Sequence, residues 1–251
     1  MLRTHEIGEA DLIVTLLCER AGRVRGVARA ARKSRRRFGG TLEPLSEVHA
    51  RWSEREGHEL HRIDALELIR SHSAMQSDPG LQAICAVLSE VATSVAREAQ
   101  ADPQGFRLMG AVLEALESGT DPWVALRYFE YWTLRLHGLL PDLSACGGCG
   151  RAMSGGERAV VSVGRGLVCA RCCGDHGVSG KALGPADLEF LDRAARSRPE
   201  AMNDCGRAAR PGGVVEELLR GTLEAFVERT FRTYRHLAVL RRSSSSGSTG
   251  A

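Results

Sequence analysis

Two pairs of cysteines constrain this chain more than any other feature. Cys146 and Cys149 form one Cys-x-x-Cys, Cys169 and Cys172 form a second, and nineteen residues lie between the pairs. That spacing falls inside the two-knuckle zinc pattern. Each pair can place two thiolates on one side of a tight turn, and two facing turns supply the four tetrahedral sulfurs that zinc prefers. Gly147, Gly148 and Gly150 let the first turn bend without a Cβ clash; Gly164 and Gly166 do the same ahead of the second.

Two disulfides, an iron–sulfur cluster and a dithiol redox centre are the alternatives. No secretory segment is recognised, which disfavours disulfides, and a redox motif does not need two matched pairs. An iron cluster on the same thiolates stays open. Cys173 could replace Cys172 as fourth ligand, and His176 is a weaker candidate. Four thiolates leave no open position, so one structural zinc is expected, and a metal-free chain should lose its local fold. An enzyme built on an open zinc would instead need a non-cysteine ligand or a water on the metal.

With 251 residues there is room for two compact domains, or for one domain carrying an insertion. A hydrophobic fraction of 43% with 26% charged residues is ordinary for a globular protein. No apolar run approaches the ~20 residues that cross a bilayer, and Arg3, His5, Glu6 and Glu9 break the first stretch. The expectation is a cytoplasmic protein without membrane contact. The net charge of +3 hides an asymmetry: residues 1–40 hold ten Lys and Arg against four Asp and Glu, leaving 24 against 27 for the rest. A polyanion-binding patch would concentrate charge in this way.

From Leu2 to about Leu66 the pattern is β. Ala10 to Cys18 reads as a strand buried on both faces or nearly so, and Arg23 to Val27 alternates like a half-exposed one. Val48, Ala50 and Trp52 alternate, Glu54 to Gly57 makes a polar turn, and Glu59 to Ile63 returns as the partner strand. Several short strands in so few residues predict a small barrel. Between the hairpins runs a basic loop, Ala28 to Gly40, with Arg29, Arg32, Lys33, Arg35, Arg36 and Arg37 and no acid. Phosphates relieve such crowding, which favours nucleic acid over a merely solvated loop. Arg23 and Arg25 share one strand face and would extend the path.

From Asp78 the period becomes helical. Asp78-Pro79, Asp102-Pro103 and Asp121-Pro122 each place an N-cap acceptor before a proline suited to the first helical position. The third helix, Trp123 to about His137, is aromatic on several sides; Trp123, Phe129 and Trp132 read as core, with a peptide-docking groove beside Arg127 and Arg135 as a minority reading. Helices resume at Leu188, Asn203 to Gly213 reads as a loop, and an apolar stripe from Val215 to Leu240 closes the fold. Ser243 to Ala251 reads as disordered. Cys18, Cys85 and Cys205 read as small apolar fillers, and His58 with His61 as solvated or packing residues. No phosphate-binding, dinucleotide or nucleophile-elbow motif is present, nor any nucleophile with an arguable base.

The segments Gly8 to Leu17, Gly22-Arg23-Val24, Ser34 to Gly40 and Leu42-Glu43-Pro44, then Phe129-Glu130, Gly138 to Leu143 and the two cysteine pairs, resemble the bacterial RecO family in that family's order. The resemblance implies an α+β, multi-domain chain: an OB-fold at residues 1–77, then a helical domain at 78–242 with the zinc module inserted at about 143–180, and a tail at 243–251. It implies a non-enzymatic mediator of DNA repair and recombination that binds single- and double-stranded DNA, anneals strands and helps load the RecA recombinase over single-stranded-DNA-binding protein, with RecR as partner. Where the family often has a glycine before the basic residues, this chain has Ala30-Ala31. A zinc-containing protein–protein adaptor with a solvated basic loop is the alternative.

Overall fold

A computed structural model describes residues 1–54, 59–153, 157–162 and 165–237, apart from the side chains of Arg35, Arg36 and His176. His58, Gly164, Leu240 and the Ser/Gly-rich end lie outside the described residues. The chain divides into two compact units: residues 1–110 with the segment from Phe231 onward, and Ala111–Thr230.

In the first unit, β1 (Arg3–Ile7), β2 (Asp11–Cys18), β3 (Gly22–Ala28), the single turn α1 (Arg35–Phe38), β4 (Glu47–Ser53) and β5 (His61–Arg70) precede three helices. The strands form one sheet in the order β1-β2-β3-β5-β4, antiparallel except for the short parallel pairing of β3 with β5. Among the described residues no pairing joins β1 to β4, so the sheet is open there. β2 buries Leu12, Val14, Leu16 and Leu17, and β3 alternates, turning Val24 and Ala28 inward. These pack with Ile63 and Leu66 of β5 and with Phe38 from the basic loop. Gly26 is required where β3 crosses β5, because a Cβ there would lie 2.6 Å from the Ile63 side chain.

β5 begins at His61 and runs to Arg70, later and longer than the expected return strand at Glu59 to Ile63. The cause is a register shift: Arg51 faces Ala65 but Trp52 faces Ile63, leaving Asp64 as an extra residue. A bulge of this kind lets Ile63 and Leu66, three apart, both point inward, which breaks the two-residue period.

All three Asp-Pro pairs start helices. α2 (Ser73–Gln76) leads into α3 (Pro79–Val95), α4 (Pro103–Glu117) and α5 (Pro122–Leu136). The Asp78 carboxylate accepts from the Gly80 and Leu81 amides at 2.6 and 3.0 Å, and Asp121 accepts from those of Trp123 and Val124 at 2.8 and 3.1 Å. The division between the units falls within α4. At the far end of the sequence, a 3-10 helix at Thr233–Leu237 packs on α3 in the first unit, where Glu90 accepts from the Thr233 amide at 2.8 Å.

The second unit is built around α5. Trp123 and Phe129 are buried, and half-buried Trp132 donates its indole N–H to the Ala194 carbonyl at 2.9 Å, so the aromatic residues serve packing. Arg127 is fully buried and bonds Glu130, with Glu216 at 3.8 Å. A pair this deep is costly to break, because one partner left alone is an uncompensated charge. Between α5 and the later helices lie β6 (Ala159–Ser162), β7 (Gly166–Cys169), α6 (Ala170–His176) and β8 (Lys181–Leu183), with the strands ordered β7-β6-β8. Then follow α7 (Pro185–Arg196), a 3-10 turn (Pro199–Cys205), α8 (Gly206–Ala209) and α9 (Val214–Phe226).

Two expectations are corrected here. Asn203 to Gly213 is not a loop throughout: it carries short helical turns that bury Met202, Ala208 and Ala209. The apolar stripe from Val215 does not run to Leu237 as one helix, because α9 ends at Phe226 and Glu228 turns the backbone at φ 54°.

Candidate nucleic-acid interface and metal centre

The basic loop is held at two buried points. Ala31 and Phe38 are 6% and 2% exposed and join the sheet's core, so the segment between them cannot move freely. The Asp11 carboxylate accepts from the Ala30 amide at 2.7 Å, and the Arg32 amide donates to the Ala10 carbonyl at 3.2 Å. Arg37 works inside the loop: its guanidinium donates to the Arg29 carbonyl at 2.7 Å and to Ser34 Oγ at 3.2 Å, and lies 5.1 Å above the Phe38 ring. Pinned in this way, the loop turns Arg29, Arg32 and Lys33 to solvent. Arg32 has one acidic neighbour, Glu6 at 3.4 Å, an exposed pair that is worth little.

Ala30 stands at φ 53°, in the left-handed region that glycine enters freely and alanine does not.

Arg23 has a partner of its own, apart from the loop. Arg23 and Arg25 share a half-buried face of β3. Arg23 spends its guanidinium on α3, donating to the Thr93 carbonyl at 2.7 Å and pairing with Glu98 at 3.2 Å. Its role here is to tie the sheet to the helix.

In the second unit, Cys146, Cys149, Cys169 and Cys172 bring their sulfurs within 4.8 Å of one another. The four could hold a metal ion. Cys146 ends a stretch in which its own amide donates to the Arg151 carbonyl at 2.8 Å and Gly147 donates to the Leu167 carbonyl at 2.7 Å. That second bond draws the first knuckle against β7. A Cβ on Gly147 would lie 2.0 Å from the Arg165 carbonyl oxygen, so only glycine fits. Cys169 caps α6 and Cys172 sits in its first turn, which puts both sulfurs on one side. Cys173 faces away and donates to the Val178 carbonyl at 3.2 Å, so it stands outside the cluster.

The electrostatics of the cluster call for a cation. The Cys169 amide, 3.3 Å from Cys146 Sγ, is the main reason that the Cys146 thiol is held down at about 6. The Cys172 amide and then Arg151 lower Cys169. With those charges beside it, Cys169 first among them, Cys172 is pushed up to about 12 and keeps its proton. A cation bound among the sulfurs favours their thiolate forms. The remaining thiols lie apart: Cys85 is buried, and burial pushes it up to about 12.

Residues 1–72 match the family model described as Recombination protein O N terminal, and residues 76–235 that described as Recombination protein O C terminal. The chain belongs to the recombination protein O, or RecO, family. Among its relatives are proteins named DNA repair protein RecO. That of Anaeromyxobacter sp. (strain K) is 39% identical over 172 residues, covering 68% of each chain. That of Koribacter versatilis (strain Ellin345) is 40% identical over 171 residues, 68% of this chain and 69% of its own. The Bifidobacterium longum (strain DJO10A) protein is 30% identical over 238 residues, 94% of this chain and 95% of its own. The sheet of a RecO amino-terminal domain is an OB-fold, a five-stranded and partly open barrel, as the five strands here form. No helix among the described residues is long and apolar enough to cross a membrane.

Proposed function

We propose that this chain is a non-enzymatic, DNA-binding mediator of repair and recombination, and that its basic loop grips the phosphate backbone. The observation that carries this reading is the pinned loop: Ala31 and Phe38 are buried while Arg29, Arg32 and Lys33 face solvent. Guanidinium and ammonium groups held this way read charge and not sequence, so single and double strands both fit. Arg35 and Arg36 lie in the same turn, Arg37 braces it, and Arg25 continues along β3. Aromatic stacking contributes little, because Phe38 is buried. From the family come the further roles: strand annealing, a RecR-type partner, and help in loading RecA onto strands covered by single-stranded-DNA-binding protein. A cytoplasmic, nucleoid-associated location follows from those roles.

The metal reading is one structural zinc on Cys146, Cys149, Cys169 and Cys172. A tetrahedron of Zn–S bonds near 2.3 Å sets the sulfurs about 3.8 Å apart, which suits four sulfurs lying within 4.8 Å. The four residues would clamp β7 and the start of α6 to the first knuckle, and they leave no place for a substrate.

Oligonucleotide binding to the whole chain, with and without chelator, tests the pair of readings. Reversing Arg29, Arg32 and Lys33 to Glu should lower affinity for both strand forms by about 1,000-fold. Unchanged affinity in that variant would favour the adaptor instead. X-ray absorption should find only sulfur around the metal.

A further inference from the structure

A second group of cations lies in the same unit as the basic loop. From Arg232 to Arg242 the sequence holds four arginines, and no acid follows Glu228. Within the described part, Phe231, Tyr234 and Leu237 are 4%, 6% and 1% exposed and stand three residues apart. Three is the period of a 3-10 helix, in which residues i and i+3 stack. One edge of the turn is therefore apolar and faces the fold, with the Phe231 and Tyr234 rings 5.9 Å apart. Glu90 of α3 locks the start of the turn, accepting from the Arg232 amide at 3.2 Å and from Thr233 Oγ1 at 2.6 Å.

Arg235 lies within the turn and Arg232 directly before it, three residues earlier in the chain. Both are exposed, as is His236, and among the described residues no carboxylate pairs with either arginine. Two exposed guanidinium groups close together in sequence, at a turn fixed by buried side chains, can meet phosphates of one strand. A peptide partner would want an apolar anchor beside the charges, and every large apolar side chain of Phe231 to Leu237 points inward. The chemistry that fits is a regular polyanion.

We propose that Arg232 and Arg235 form a second phosphate-backbone contact, separate from the basic loop. This rests on the reading that the chain binds DNA. The turn is anchored through backbone amides and buried rings, so trimming both arginines leaves its fold in place.

The test compares the full wild-type chain with Arg232→Ala/Arg235→Ala and with Arg232→Gln/Arg235→Gln, after thermal melts show which variants fold like wild type. Removing one phosphate-binding cation should flatten the slope of log affinity against log salt by about 0.7–0.9, so the double variants should flatten it by about 1.4 to 1.8. Affinity for a single-stranded oligonucleotide at low salt should fall by about 10- to 100-fold, up to roughly tenfold for each arginine. A slope and affinity equal to wild type, while the basic-loop variant binds far more weakly, would overturn this inference alone. Unchanged DNA binding with abolished binding of a polyglutamate peptide would overturn it in favour of a protein partner. A wild-type chain that binds no oligonucleotide overturns the functional reading itself.

Discussion

The basic loop and the cysteine cluster are both short, glycine-bearing stretches enriched in one kind of side chain, and they spend it in opposite ways. The loop buries its hydrophobic ends, Ala31 and Phe38, and leaves Arg29, Arg32 and Lys33 in water. The cluster buries Cys146, Cys169 and Cys172 and leaves only Cys149 exposed. Charge left in water is cheap to hold and ready to exchange its counterions for a polyanion. Thiolates drawn together out of water repel one another until an ion joins them. The first arrangement suits binding; the second suits shape.

The largest effect expected from this contrast is at the cluster. Cys169→Ser should take bound metal from one ion per chain toward none and unfold the region around β7 and α6 on mild heating. Metal binding is worth about 10–16 kcal/mol in small zinc peptides, so little local stability would remain. Metal analysis with a calorimetric melt checks this. Next comes the loop: Arg29→Glu with Arg32→Glu and Lys33→Glu should lower affinity for single-stranded DNA by about 1,000-fold, or about 4 kcal/mol, and leave metal content at wild type. A change in metal content would break the contrast.

Smaller effects concern how each region is supported. Asp121→Ala removes the acceptor for the Trp123 and Val124 amides and should cost about 1 kcal/mol in denaturant unfolding. Ala30→Gly relieves a left-handed alanine in the loop and should be neutral to stabilising by up to about 1 kcal/mol, with DNA affinity within twofold. A marked destabilisation by glycine at this position would show that the loop's backbone path is different.

What is legible in the sequence divides along physical lines. The cysteine pairs and the three Asp-Pro helix starts are readable because each depends on neighbours a few residues away. The bounds of β5 are not, because the extra residue at Asp64 disrupts the alternation by which strands are recognised. The role of Arg23 depends on the Thr93 carbonyl, 70 residues distant, which no local pattern encodes. The choice of Cys172 over Cys173 depends on the helical turn after Cys169. The turns between Asn203 and Gly213 are too short to show a period. The arginines after Glu228 are plain in the sequence, but the turn that holds Arg232 and Arg235 is locked by Glu90, 142 residues from Arg232, which no local pattern encodes.

On the proposed reading, the loop's cations hold DNA through its phosphates. Affinity of the whole chain for a single-stranded oligonucleotide, measured from about 50 to 200 mM salt, tests it most directly. The expected result is a straight fall of log affinity against log salt, with a slope that the triple loop reversal makes shallower by about 2 to 3. Affinity that stays level across that range, or a slope the reversal leaves unchanged, would contradict it.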